Sequence, residues 1–153
     1  MPRFYFDTSA FTKRYHLEIG SVRVASIFEA HNSIVQISNL GILEAQSAFG
    51  MKVRTGQITE SKAISLRALV LNDVSTGIVE LLMLESTHFA AAALLVSKYG
   101  FTRRMRTLDA LQLAVALDLR AKGLLDIFVV ADKLLAEVAI LEGLSVQNPE
   151  DLP

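Results

Sequence analysis

Residues 3–11, "RFYFDTSAF", are an aromatic run that stops at one carboxylate, Asp7, with two hydroxyl residues behind it. Aromatic side chains favour a pleated, buried surface, so Phe4 to Asp7 reads as a strand. The stretch after it, to about Tyr15, reads as helix. An aspartate between strand and helix is a favoured N-cap, stabilising by ~1 kcal/mol. It also stands at the carboxyl end of the strand, the edge at which parallel sheets place their sites. The rest of the chain decides between these two roles.

Further along, short apolar runs alternate with helical stretches. A helix spans roughly Ile19 to Ala30, followed by strand two, Ser33 to Ile37 ("SIVQI"). Asn39 to Val53 is helical, and Thr59 is the N-cap of a helix reaching about Val74. Ile78 to Met83 ("IVELLM") is strand three. The alanine-rich helix from Ser86 closes at Gly100 as a C-cap glycine would. Thr107 to Lys122 is a helix stopped by Gly123, and Ile127 to Ala131 ("IFVVA") is strand four. Lys133 to Glu142 is a helix stopped by Gly143, and "LSVQNP" ends in a last short strand. Uniformly apolar strands separated by helices imply an α/β fold with a parallel sheet covered on both faces.

The chain's 153 residues fit one domain, 1–153, large enough to bury ~70% of its unfolded surface without staples. It has no cysteine, which excludes disulfides and thiolate metal sites and fits a reducing cytoplasm. His16, His31 and His88 show no zinc spacing. No apolar stretch approaches the ~18 residues that span a bilayer, and the N-terminus has no signal-peptide pattern. The expectation is a soluble cytoplasmic domain. Hydrophobic residues make up 52% of the chain, enough for some apolar surface to serve a subunit or partner interface.

Four acids call for explanation. Asp7 ends strand one and Asp132 directly follows strand four, so both project from one edge of the sheet. Glu44, in "SNLGILEAQSAFGMKV", has Leu40, Ser47, Ala48 and Met51 as helical neighbours and lies along a largely apolar stripe. Asp109, in "RTLDALQLAVALDL", lies in the first turn of its helix, where the dipole favours negative charge and Thr107 is the expected N-cap. Asp118 and Asp126 sit at the wrong ends of their elements and are left out. Two unit charges ~4 Å apart repel by ~4 kcal/mol even at an effective dielectric of 20, so a cluster of acids needs cations. Oxygen ligands without His or Cys select Mg²⁺ or Mn²⁺, which suit attack of water on a phosphodiester.

"FYFDTSAFTKRY", "ISNLGILEAQSAF", "RTLDALQLAVAL" and "FVVADKLLAEVAILEGLSVQNP", in this order across nearly the whole chain, resemble the PIN-domain ribonucleases, and among them the VapC-type toxins of toxin–antitoxin pairs. The resemblance implies a PIN-like three-layer α/β/α fold with a central parallel sheet of about five short strands. It implies a metal-dependent endoribonuclease, with Asp7, Glu44, Asp109 and Asp132 as the acidic quartet holding Mg²⁺ or Mn²⁺. Ser9 matches the hydroxyl after the first Asp, and Ser38 the serine before the glutamate. Cleavage would leave 5′-phosphate and 3′-hydroxyl ends. The implied partners are RNA, a VapB-like antitoxin lying over the acidic groove, and a second copy of the chain. The sequence departs from the pattern at Gln112, where many relatives carry histidine, and at "NLGILE".

Lys13, Arg14, Arg103, Arg104, Arg106 and Lys133 are candidate RNA phosphate contacts, together with Lys52 and Arg54. The runner-up reading is a catalytically silent PIN-like module that binds RNA or protein. A haloacid-dehalogenase-type phosphatase is disfavoured because Ser9 stands where that chemistry needs a second Asp.

Overall fold

The computed structural model describes residues 1–152. Its strands are Arg3–Phe6 (β1), Ile34–Ser38 (β2), Val79–Leu82 (β3), Ile127–Val129 (β4) and Val146–Gln147 (β5). The helices are Thr8–Phe11 (α1, extended by a 3₁₀ turn, Thr12–Arg14), Ser21–Glu29 (α2), Asn39–Arg54 (α3), Glu60–Ser75 (α4), Ser86–Tyr99 (α5), Thr107–Ala121 (α6) and Lys133–Leu141 (α7). All strand pairs are parallel, and the order across the sheet is β3-β2-β1-β4-β5.

The pleat of β1 divides the interior in two. Phe4 and Phe6 face one side and join Phe11, Val24, Ile27, Phe49, Leu66 and Val70 from α1 to α4. Tyr5 faces the other and joins Phe128, Leu95, Leu113, Leu135 and Val138 from β4, α5, α6 and α7. The result is the expected three-layer α/β/α arrangement. Helix α6 is enclosed: every residue from Ala110 to Ala116 is buried, and its first turn brings Asp109 to the carboxyl edge of the sheet.

The strand order places the switch point between β1 and β4, from which successive strands are added in opposite directions. Clefts form there because the connections leave to opposite faces. Asp7 follows β1 and Asp132 comes shortly after β4, so the two flank that point.

One capping expectation is corrected and one is met with a different geometry. Arg106, not Thr107, occupies the N-cap position of α6, and no side chain caps it. Gly100 is the C-cap of α5 as expected, but with a right-handed backbone (φ −62°), its N–H bonding Val96 O at 2.7 Å. Gly20 does need its freedom: φ is +91°, and a Cβ there would lie 2.9 Å from the carbonyl oxygen of Pro149. Thr59 caps α4 as expected, accepting from Lys62 N at 3.1 Å.

Candidate active site

Asp7 caps α1 and lies at the carboxyl edge of the sheet. Its backbone N–H donates to Val129 O at 3.0 Å, which ties the end of β1 to β4. Its Oδ2 accepts from Ser9 N at 3.3 Å as the cap of α1, and also from the Ser9 hydroxyl. Ser9 Oγ in turn accepts from Ala131 N (3.2 Å) and Asp132 N (3.3 Å). One serine therefore fixes the first carboxylate and the loop that carries the fourth. Asp132 Oδ1 caps α7 by accepting from Leu135 N at 3.0 Å.

Glu44 reaches the cleft from α3, which Ser38 caps through Gly41 N at 3.1 Å. Its Oε1 accepts from Thr8 Oγ1 (3.2 Å) and Gln112 Nε2 (3.0 Å). Gln112 is fully buried in α6 and also donates to Thr8 Oγ1 at 3.3 Å. Its own oxygen accepts from Ser38 Oγ at 3.3 Å and from the Tyr5 hydroxyl. Burial keeps the Tyr5 hydroxyl protonated far above the usual range, so it remains a donor.

Asp109 completes the set from the first turn of α6. Asp7, Glu44, Asp109 and Asp132 all line one cleft of about 970 Å³, with Thr8, Ser9, Leu40, Leu43, Met51, Leu108, Arg54 and Arg106. Burial pushes the Asp7 carboxyl up to about 7 against the Ser9 hydrogen bond, with the charges of Asp109 and Glu44 adding to the rise. Burial and then the charge of Asp132 push Asp109 to about 6. Arg106 is the nearest counter-charge, with Nε 3.7 Å from Asp109 and an Nη 3.7 Å from Asp132.

These residues fit a hard divalent cation in donor type and charge: four carboxylates, no nitrogen or sulfur ligand, and two acids driven up by burial and mutual repulsion. Among the described residues, no three His, Asp or Glu side chains are already closed into a ligand set. The acids share a cleft and are not a finished coordination sphere.

The basic residues divide. Arg106 and Arg54 line the cleft. Arg14, Arg103, Arg104 and Lys133 are exposed. Lys13 is withdrawn from the candidate phosphate contacts: its side chain is 4% exposed and pairs with Glu18 (3.2 Å) and Glu150 (2.7 Å). Lys52 is withdrawn likewise, buried against Glu18 at 3.2 Å. Asp118 pairs with Lys122 and His88, and Asp126 accepts from Arg3 N at the opposite edge of the sheet, so neither belongs to the site.

Sequence reasoning misses Thr8, Tyr5 and the hydrogen bond from Gln112 to Glu44. A threonine next to the first acid and an amide three residues after Asp109 are the only local signals.

No protein-family model matches the chain, and no curated protein matches it by sequence. Solved structures match it along nearly its whole length. VapC20 of Mycobacterium tuberculosis, described as a sarcin-ricin loop cleaving toxin, aligns with a TM-score of 0.67 at 16% identity, over 98% of this chain and 99% of that one. The fold is PIN-like. VapBC2 from Rickettsia felis, bound to a DNA fragment from its promoter, gives 0.67 at 14% identity over 95% and 98%. VapBC-1 from nontypeable Haemophilus influenzae gives 0.61 at 16% over 97% and 99%. At such identities the likeness concerns the PIN-like fold alone.

Proposed function

We propose that this chain is a Mg²⁺- or Mn²⁺-dependent endoribonuclease and the toxin of a toxin–antitoxin pair. One observation carries the reading: four carboxylates from four separated segments line a single cleft at the switch point of the sheet. Asp7, Glu44 and Asp109 would hold the main cation, and Asp132 would complete the site or hold a second. When bound, the cation supplies the charge that acidifies a water and offsets the developing charge on a scissile phosphate.

The chain's own contribution is placement. Ser9 holds Asp7 and the Asp132 loop in fixed relation. Thr8 and Gln112 hold one oxygen of Glu44. Arg106, 57% exposed and bridging two of the acids, is placed to meet a phosphate at the rim. The exposed Leu43, Leu108 and Met51 beside the acids give the cleft an apolar wall, which supports an antitoxin segment as its covering partner. The exposed Phe89 and Leu94 on α5 support a second copy of the chain as the other partner.

The test is cleavage of a mixed RNA substrate with Mg²⁺ or Mn²⁺, with EDTA as control. Cleavage should require the cation, and Asp7→Ala and Asp109→Ala should abolish it while keeping the parent's circular dichroism. Folded variants that cut as well as the parent would contradict the assignment. RNA binding without cation-dependent cleavage would favour the silent-module reading.

A further inference from the structure

We propose that Gln112 is a positioning residue that sets how Glu44 presents itself to the cation, an inference that rests on the function proposed above. All four hydrogen-bonding positions of its amide are used. Nε2 donates to Glu44 Oε1 at 3.0 Å and to Thr8 Oγ1 at 3.3 Å. Oε1 accepts from Ser38 Oγ at 3.3 Å and from the Tyr5 hydroxyl. The donors on the oxygen side fix which end of the amide faces Glu44. The reverse orientation would set the amide oxygen against a carboxylate oxygen.

Tyr5 on β1, Ser38 at the end of β2 and α6 itself are rigid elements, so the amide is held on three sides and does not follow Glu44 if that side chain moves. Both donors to Glu44, Thr8 Oγ1 and Gln112 Nε2, meet the same oxygen, Oε1. Oε2 accepts no hydrogen bond from the described residues. Glu44 therefore offers the cleft one free oxygen in a fixed direction, and its range of rotamers is cut before any cation arrives. A ligand held in place by outer hydrogen bonds binds more tightly than a mobile one, typically by ~10–100-fold.

The experiment is Mn²⁺ titration by calorimetry at one fixed pH, without RNA, on the full chain and on Glu44→Gln, Gln112→Met, Gln112→His and Thr8→Val, with thermal unfolding measured in parallel. Gln112→Met keeps the bulk and removes the donor, and should weaken Mn²⁺ binding by ~10-fold or more per folded molecule. Gln112→His restores a donor and should recover most of that loss. Thr8→Val removes the second donor and should shift affinity the same way by less. A residue that only filled the core would lower the melting temperature of Gln112→Met and leave its Mn²⁺ affinity at the parent's value, which would overturn the inference. So would a histidine variant no better than the methionine one. Should Gln112→Met fail to fold, Thr8→Val decides, and parent-like affinity in it overturns the inference. If Glu44→Gln weakens binding and Gln112→Met does not, the positioning role falls and the proposed function stands. If the parent itself binds no Mn²⁺, both fall.

Discussion

Asp7 is a carboxyl that the folded chain would rather keep protonated. It is 5% exposed, and burial, with Asp109 and Glu44 adding their charge, lifts it from 3.8 to about 7. The unfolded chain releases this proton near pH 4, whereas the folded chain keeps it until about pH 7. Stability from this group is therefore full at low pH, falls as pH rises through that window, and is lost above it. Asp7→Asn keeps a cap acceptor without the charge. In EDTA at pH 8 it should be more stable than the parent, by up to roughly 4 kcal/mol for a shift of this size, and should flatten the stability profile between pH 4 and 7. Urea denaturation across that range checks this, and a variant less stable than the parent at pH 8 would refute it. Asp7 is legible in the sequence because a carboxylate closing an aromatic strand is costly to bury unless it caps a helix or meets a cation. Gln112 is legible only as a departure from a pattern, because Tyr5, Thr8, Ser38 and Glu44 come to it from 68 to 107 positions away. Lys13 misleads because nothing local says that a lysine in "TKRY" turns inward to Glu18 and Glu150.

Helix α3 carries two glycines in unlike surroundings. A Cβ on Gly41 would lie 2.6 Å from Ile37 Cγ1 and 3.4 Å from Gln112 Nε2, whereas at Gly50 the nearest atom is the end of Arg54 at 3.5 Å. Gly41→Ala should thus destabilise by ~1–3 kcal/mol through overpacking, despite alanine's better helix propensity. Gly50→Ala should stabilise by up to ~1 kcal/mol. Thermal melts of both variants compare the signs, and a stabilising Gly41→Ala would mean that α3 sits further from β2 than described. Nearby, Glu18 bridges Lys13 and Lys52 at 3.2 Å each, tying the turn after α1 to α3. Burial alone would raise the Glu18 carboxyl, but the two lysines outweigh it and hold the group below its usual range. Glu18→Gln leaves buried Lys52 without a carboxylate and Lys13 with Glu150 alone, and should cost about 2 kcal/mol or more, read by urea denaturation; an unchanged midpoint would show the knot to be dispensable. Element boundaries are readable in the sequence to within a residue or two, because the changes of period are sharp. The cap of α6 is not, since Thr107 already lies inside its helix, and the end of α5 is readable in position at Gly100 but not in its right-handed geometry.

The parallel sheet can be anticipated from alternating strands and helices. Its order cannot, because that is decided by which faces the helices cover and not by any one segment. The order sets the site: β1 beside β4 brings Asp7 and Asp132 together, and the capped start of α3 and the first turn of α6 add Glu44 and Asp109. Arg54 and Arg106 stand on the walls of that cleft, and Arg104 is close enough for its charge to act on Asp109. RNA cleavage should weaken steeply with added salt, and Arg106→Gln should reduce the log–log slope by about 0.7, one phosphate contact on a single strand. A slope unchanged by the substitution would mean that Arg106 serves only the acids.

The proposal of a cation shared by these acids is tested most directly by diffraction from crystals grown with millimolar Mn²⁺, using the metal's anomalous signal. The expected result is a peak in the cleft within ~2.5 Å of oxygens from at least two of Asp7, Glu44, Asp109 and Asp132. Anomalous density confined to other surfaces, or a cleft without any at saturating Mn²⁺, would contradict it.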